Sequence, residues 1–305
     1  MKRTKIGLVL GGGGARGLAH IGVIKRLTEL GLSIDVITGA SMGAIIGAAY
    51  AQTRDIGFIE SRFRTFMTGK EYQSIKGRAL DLKEEKADSF LHFISKTVKR
   101  RIVINLAANR MSLVSDKFLN NTLTQLLADE PIESLKIPFA CTALDLVSGR
   151  EMVFRRGSVL TAVQASAAIP GFLPPVSDDG KRLVDGAVIN NFPIEAAKSL
   201  GADFTIACDV SPELEPDPPL NNVIDIFIRA HHAAVNRLKD LLVQKADVLL
   251  KPDIGSINWM DFEQIDTLIK QGEAVVDENK TLIMEKLAEK QGFWQRVKSR
   301  LLSTN

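Results

Sequence analysis

Within its first fifty residues the chain runs twice from a short apolar strand, through a glycine-bearing turn, into a helix. Ile6-Gly7-Leu8-Val9-Leu10 is continuously apolar, the pattern of a strand covered on both faces. It enters Gly11-Gly12-Gly13-Gly14-Ala15-Arg16-Gly17. Leu18, Ile21, Ile24, Leu27 and Leu30 then repeat at helical spacing up to Gly31, a C-terminal stop. A second apolar strand, Ile34 to Thr38, leads into Gly39-Ala40-Ser41-Met42-Gly43 and a small-residue helix from Ala44 to about Gln52. Such a βαβα opening commits the chain to a parallel sheet with helices on its faces, because parallel neighbours need a crossover.

Residues 58 to about 130 differ in character. They are helix-rich, amphipathic and locally basic, with Lys96, Lys99, Arg100 and Arg101 in one short run. Strand patterns return at Ile137 to Ala143, Glu151 to Arg155, Lys181 to Val184 and Phe204 to Val210. The proline-rich stretch from Ser211 to Pro219 reads as a linker. Beyond it come an amphipathic helix around Val223 to Ala246, a short strand from Val248 to Lys251, and terminal helices. The expected layout is an α/β domain over 1–212 with a helical insertion at about 58–130, then a mainly helical extension, 213–305, packed on the core.

Composition removes several function classes. Lys plus Arg is 39 and Asp plus Glu is 36, a net charge of +3, which argues against the concentrated basic stripe of a nucleic-acid binder. At 45% hydrophobic residues the chain has ample material for a core. Two cysteines, Cys141 and Cys208, lie in strand-like runs and read as reduced packing residues. The basic start, Met1 to Lys5, precedes an apolar run too short for an export signal, and no window offers the roughly twenty apolar residues of a membrane span. The expectation is a cytoplasmic protein, with room for peripheral association with a membrane.

Two motifs carry chemistry. The glycine loop contains G-x-G-x-x-G at 12–17, and its backbone N–H groups at a helix start suit an anion. That anion could be a pyrophosphate or an acyl-transfer oxyanion, and the loop alone does not choose. Gly39-Ala40-Ser41-Met42-Gly43 is a G-x-S-x-G between strand and helix, the context of a nucleophile elbow. A dinucleotide site wants an acid about 20 residues past the glycines at the end of the next strand. Asp35 is at that distance but starts its strand, and the elbow occupies the place where the acid belongs. Both turns leave carboxyl ends of parallel strands, so a serine and a cradle of N–H donors can converge at one edge.

A serine nucleophile needs a base. His20 lies inside the first helix, His92 in the insertion, and His231 and His232 on one face of a long helix without a turn at hand. Asp185, in Leu183-Val184-Asp185-Gly186-Ala187, follows a strand and could take the serine proton directly. Asp-Gly is also ordinary turn chemistry, and that alternative stays open on this residue alone.

Four blocks in order then resemble the patatin-like phospholipases, and among them small bacterial members. They are Gly12-Gly13-Gly14-Ala15-Arg16-Gly17, Gly39-Ala40-Ser41-Met42-Gly43, Ala165-Ser166-Ala167-Ala168-Ile169-Pro170 and Asp185-Gly186-Ala187, spread over about residues 5–210. The resemblance implies a three-layer α/β/α fold with a mainly parallel central sheet. It implies a serine–aspartate dyad, with Ser41 the nucleophile, Asp185 the proton acceptor, and Gly12, Gly13 and Gly14 the oxyanion hole. Arg16 matches the basic position of the loop, where it meets a lipid phosphate or holds its own turn. No metal and no cofactor are implied. The substrates would be fatty-acyl esters of phospholipids or lysophospholipids. The rivals are a carboxylesterase or thioesterase on soluble acyl substrates and, from another class, a nucleotide- or phosphate-binding regulatory protein. A lipid partner is expected, no nucleic acid, and room is left for a homodimer. The basic run at 96–101 would face lipid headgroups or merely solvent, and the stretch Gly292 to Leu302 would lie at an interface or dock on the core.

Overall fold

The two opening strands lie side by side. β1 (Ile6–Leu10) pairs in parallel with β2 (Ile34–Gly39), and Leu10 stands opposite Gly39, so the two glycine turns leave the sheet at the same edge. The computed structural model describes residues 3–69, 72–73, 116–213 and 220–302. Between the strands a short 3₁₀ turn, Gly14–Leu18, precedes helix α1 (Ala19–Glu29). After β2 come α2 (Met42–Thr53), α3 (Ile56–Thr68) and α4 (Asp116–Leu126). Asp55 caps α3 by accepting from the Phe58 N–H, a bond of the kind that contributes about 1 kcal/mol. The basic run at 96–101 lies outside the described residues.

The sheet continues through β3 (Phe139–Asp145) and β4 (Arg150–Phe154), then α5 (Val159–Ser166), β5 (Val176–Asp178), β6 (Lys181–Asp185), α6 (Ile194–Ser199) and β7 (Phe204–Cys208). α7 (Val223–Val243), β8 (Val248–Leu250), α8 (Ile265–Glu278) and α9 (Lys280–Leu302) complete the order. The strands run β5-β6-β3-β2-β1-β7-β8, with β4 paired to β3. From β8 to β3 every pairing is parallel, whereas β4, β6 and β5 are antiparallel additions at one side. The turn at Gly149, with φ of 68°, is too short for a crossover and can join only antiparallel strands.

Alternation along β1 shows why its whole run is apolar. Leu8 and Leu10 enter a large core with α1 and α2, while Val9 enters a second one with Val36, Phe192, Ile194 and Ala207 on the opposite face. The late helices are integral to the first layer. A Cβ on Gly22 of α1 would lie 2.0 Å from the Ile269 carbonyl oxygen of α8, and one on Gly272 would lie 1.9 Å from that of Ala19. The two backbones therefore touch where they cross, and Lys25–Glu273 at 2.6 Å and Arg26–Asp277 at 2.7 Å flank the crossing. In α9 the backbone is helical to Leu302, but the side chains of 293–302, and with them the expectation for that stretch, lie outside the described residues.

Candidate active site

Ser41 sits at the tip of the elbow with φ 54° and ψ −125°, a backbone region that a residue with a Cβ avoids. Such strain costs on the order of 1–3 kcal/mol and persists only where its surroundings enforce it. Here they do. A Cβ on Gly39 would meet the Gly43 carbonyl carbon at 2.6 Å, and one on Gly43 would meet the Leu10 oxygen at 2.1 Å, so α2 starts pressed against the strand ends. The Ala40 N–H donates to Leu10 O at 3.1 Å. The Ser41 N–H is shared between the carbonyl and the hydroxyl of Ser166, each at 3.1 Å. Ser166 belongs to the Ala165–Pro170 block, whose physical role is thus to brace the elbow.

Asp185 ends β6, and its own N–H donates to Ala168 O at 2.9 Å, which ties it to the same block. Its carboxylate accepts from the Ala187 N–H at 2.8 Å and lies beside the Ser41 hydroxyl. Burial lifts its pKa to about 6, against the lowering effect of those two neighbours. Ser41 and Asp185 are both nearly closed to solvent. A buried carboxylate with a raised pKa beside a strained serine is an arrangement that can move a proton off a hydroxyl.

The glycine loop lies against this pair. A Cβ on Gly12 would come within 2.8 Å of the Ser41 Cβ and 3.2 Å of the Ala187 Cβ. Gly14 has φ of 60°, and a Cβ there would strike the Trp259 carbonyl oxygen at 2.4 Å. The Gly12 N–H donates to Asn191 Oδ1 at 2.6 Å. The N–H groups of Gly13 and Gly14 have no acceptor among the described residues. Arg16 stabilises the loop from behind: its Nε donates to the Ile257 carbonyl at 2.7 Å, and the Ala15 N–H donates to Trp259 O at 2.7 Å.

The other candidates fall elsewhere. Asp35 bonds Arg3 and the Ile6 N–H at the far end of β1, away from the glycine loop, so it offers nothing to a ribose. His20 is fully buried behind the loop, where its Nε2 donates to Gly11 O at 2.7 Å, and burial pulls its pKa down to about 4. His231 and His232 are exposed on α7, and His92 lies outside the described residues. Cys141 and Cys208 are buried free thiols, pushed up by desolvation. Among the described residues no group of three or more His, Cys, Asp or Glu side chains is placed to hold a metal ion. Asn191, Trp259 and Ile257 are residues around the site that the sequence does not single out, whereas Ser166 is named in it only as part of the Ala165–Pro170 block.

The family sequence model for patatin-like phospholipases matches residues 8–198. Patatin-like phospholipase domain-containing protein 6 of Homo sapiens is 35% identical over 294 residues, covering 88% of this chain and 20% of the relative. An uncharacterized NTE family protein of Mycobacterium tuberculosis is 30% identical over 291 residues, covering 88% of this chain and 45% of the relative. The chain thus spans a fifth of the first and under half of the second. The solved structure of human GIVD cytosolic phospholipase A2 shares the fold, with a TM-score of 0.50 at 12% identity over 94% of this chain and 60% of that one.

Proposed function

This chain belongs to the patatin-like phospholipase family, and from that membership we propose that it hydrolyses fatty-acyl esters of phospholipids or lysophospholipids. Ser41 is the nucleophile, Asp185 the proton acceptor, and Gly13 and Gly14 the source of oxyanion donors, the Gly12 N–H being taken by Asn191 Oδ1. The observation that best supports this reading is the buried Asp185 carboxylate, its pKa raised to about 6, beside the strained Ser41, with the Gly13 and Gly14 N–H groups, which have no acceptor among the described residues, on the adjoining loop.

In the first step the Ser41 oxygen attacks the ester carbonyl while Asp185 takes the hydroxyl proton. The carbonyl oxygen becomes an oxyanion and collects N–H donors from the loop; a single such donor is worth ~10²–10³ in rate. Collapse of the intermediate expels the alcohol, which receives the proton from Asp185, and leaves the acyl group on Ser41. Water repeats the sequence, giving its proton to Asp185 and its oxygen to the acyl carbon, and the fatty acid departs with the serine restored.

Contact with a lipid surface belongs to the same reading. Its support is a run of exposed apolar side chains at the start of α7, including Val223, Ile226 and Phe227, the last 74% exposed. Among the described residues no helix is long and apolar enough to cross a membrane. The test is hydrolysis of a short-chain p-nitrophenyl ester and a lysophospholipid by wild type and Ser41→Ala, with chelator present. Turnover that requires Ser41 and ignores chelator supports the reading. Absence of Ser41-dependent turnover on both substrates, with Ser41 unlabelled by a fluorophosphonate, rejects it. A fast p-nitrophenyl ester with no lysophospholipid turnover points to the soluble-ester rival.

A further inference from the structure

We propose that Asn191 is a positioning residue for the oxyanion site: it fixes Gly12, and through Gly12 the register of the Gly13 and Gly14 N–H donors against Ser41. This rests on the reading of Ser41 and Asp185 as a dyad, and adds to it a residue whose side-chain hydrogen bonds go to Gly12 and Ser211.

The amide of Asn191 is fastened at both ends. Its Oδ1 accepts from Gly12 N–H at 2.6 Å, and its Nδ2 donates to the Ser211 hydroxyl at 3.1 Å. Because an N–H needs an acceptor, the oxygen must face Gly12, which settles the orientation of the amide. Ser211 is held in turn, its N–H donating to Asp209 Oδ1 at 2.8 Å, and Asp209 pairs with buried Lys239 at 3.2 Å. Asn191 is only 6% exposed, so water does not compete for these bonds.

The backbone carrying Asn191 is equally constrained. It follows Asp185 on one tight segment: Ile189 and Asn190 N–H both return to Gly186 O, and the Asn190 carbonyl accepts from the Thr142 hydroxyl at 3.0 Å. A Cβ on Gly186 would fall 2.1 Å from Thr142 O, so the segment lies directly on β3. One short stretch therefore presents the proton acceptor to Ser41 and an anchor to the glycine loop. Gly12 is wedged between Ser41 and Ala187 with no room for a methyl group, and any drift of Gly12 moves the donors that follow it. Oxyanion stabilisation depends on donors already in place when charge develops, and a misplacement of 1 Å is costly.

The experiment measures kcat and KM on a soluble p-nitrophenyl ester, and inhibition by a trifluoromethyl ketone that mimics the tetrahedral intermediate, for wild type, Asn191→Ala, Asn191→Asp and Ser41→Ala. Asn191→Ala should lower kcat by about 10–10²-fold, move KM by less than about threefold, and weaken the ketone by the same factor as kcat/KM. Asn191→Asp supplies the answer if the alanine variant does not fold. As a neutral acid it reproduces the amide's acceptor and donor, whereas its carboxylate opposes the oxyanion. Its rate relative to wild type at the same pH, followed from pH 4 to 9, should therefore fall as the carboxyl ionises and level off once it is ionised. Asn191→Ala with wild-type kcat, a change in KM alone, or an Asn191→Asp ratio that does not vary with pH overturns the inference and leaves the dyad standing. Wild type without Ser41-dependent turnover removes the dyad reading and this inference together.

Discussion

Ser41 and Asp185 are fastened to one segment, through the Ser166 and Ala168 carbonyls, and burial raises the Asp185 pKa to about 6. Only the ionised form can accept the serine proton. The rate kcat/KM should therefore rise with pH along a single limb centred near 6 and level off above it. A His231→Ala/His232→Ala enzyme should trace the same limb, since both imidazoles are exposed on α7. A limb displaced or lost in that variant would move the base from Asp185 to a histidine.

The same shift has a consequence for stability. The folded pKa is raised above the ordinary 3.8, so the native state binds the proton more tightly than the unfolded chain. Stability accordingly falls as pH rises from about 4 to about 6, and it stays lowered above that window. Asp185→Asn removes the buried charge and should be inactive yet more stable than wild type at pH 7–8, by on the order of 2–3 kcal/mol. Melting curves at pH 4 and pH 8 check this, because the gap should close at the lower pH.

Behind the glycine loop, Asp209 and Lys239 form an ion pair nearly excluded from solvent. Lys239→Met leaves a buried carboxylate without its counter-charge and should cost about 3–5 kcal/mol in urea unfolding. The double variant Asp209→Asn/Lys239→Met should recover most of that loss. Equal instability of single and double variants would mean that packing of the lysine stem, rather than charge, is what matters.

Where α1 crosses α8, there is no space for a side chain at either glycine. Gly272→Ala should force the helices apart at a cost of about 1–3 kcal/mol, even though alanine is the better helix former. An unchanged melting temperature would show that the crossing can slide.

The start of α7 offers a test of lipid contact. Phe227→Ser with Val223→Ser should reduce hydrolysis of lysophospholipid in vesicles while leaving the rate on a monomeric short-chain ester unchanged. Equal loss on both substrates would assign those side chains to the fold.

The elements that were legible in the sequence are those whose side chains report their own surroundings. The unbroken apolar run of β1 announces two covered faces, and the elbow announces itself by glycines on either side of Ser41. Asp185 is legible as a residue at a strand end ahead of a glycine, while its role as proton acceptor comes only from the family resemblance. Much of the rest depends on backbone groups, which leave no trace in residue identity. The Trp259 and Ile257 carbonyls that hold Ala15 and Arg16 could have been supplied by any residue. Asn191 had a faint signal, as one of paired asparagines ahead of Phe192-Pro193, but its partner is a main-chain N–H far away in sequence. The antiparallel flank was partly hidden because β5 is only three residues long and half-buried, too short for alternation to show.

The bond from Arg16 to Ile257 spans 241 positions. Order of synthesis therefore becomes a clock for the site. A growing polypeptide presents its glycines and serine early and its aspartate later, yet the carbonyls that fasten the loop come only with Ile257 and Trp259. Until then the loop lacks two of its fastenings, and α1 lacks the helix that crosses it. The glycine loop is thus complete only once the segment carrying Ile257 and Trp259 has folded back on it.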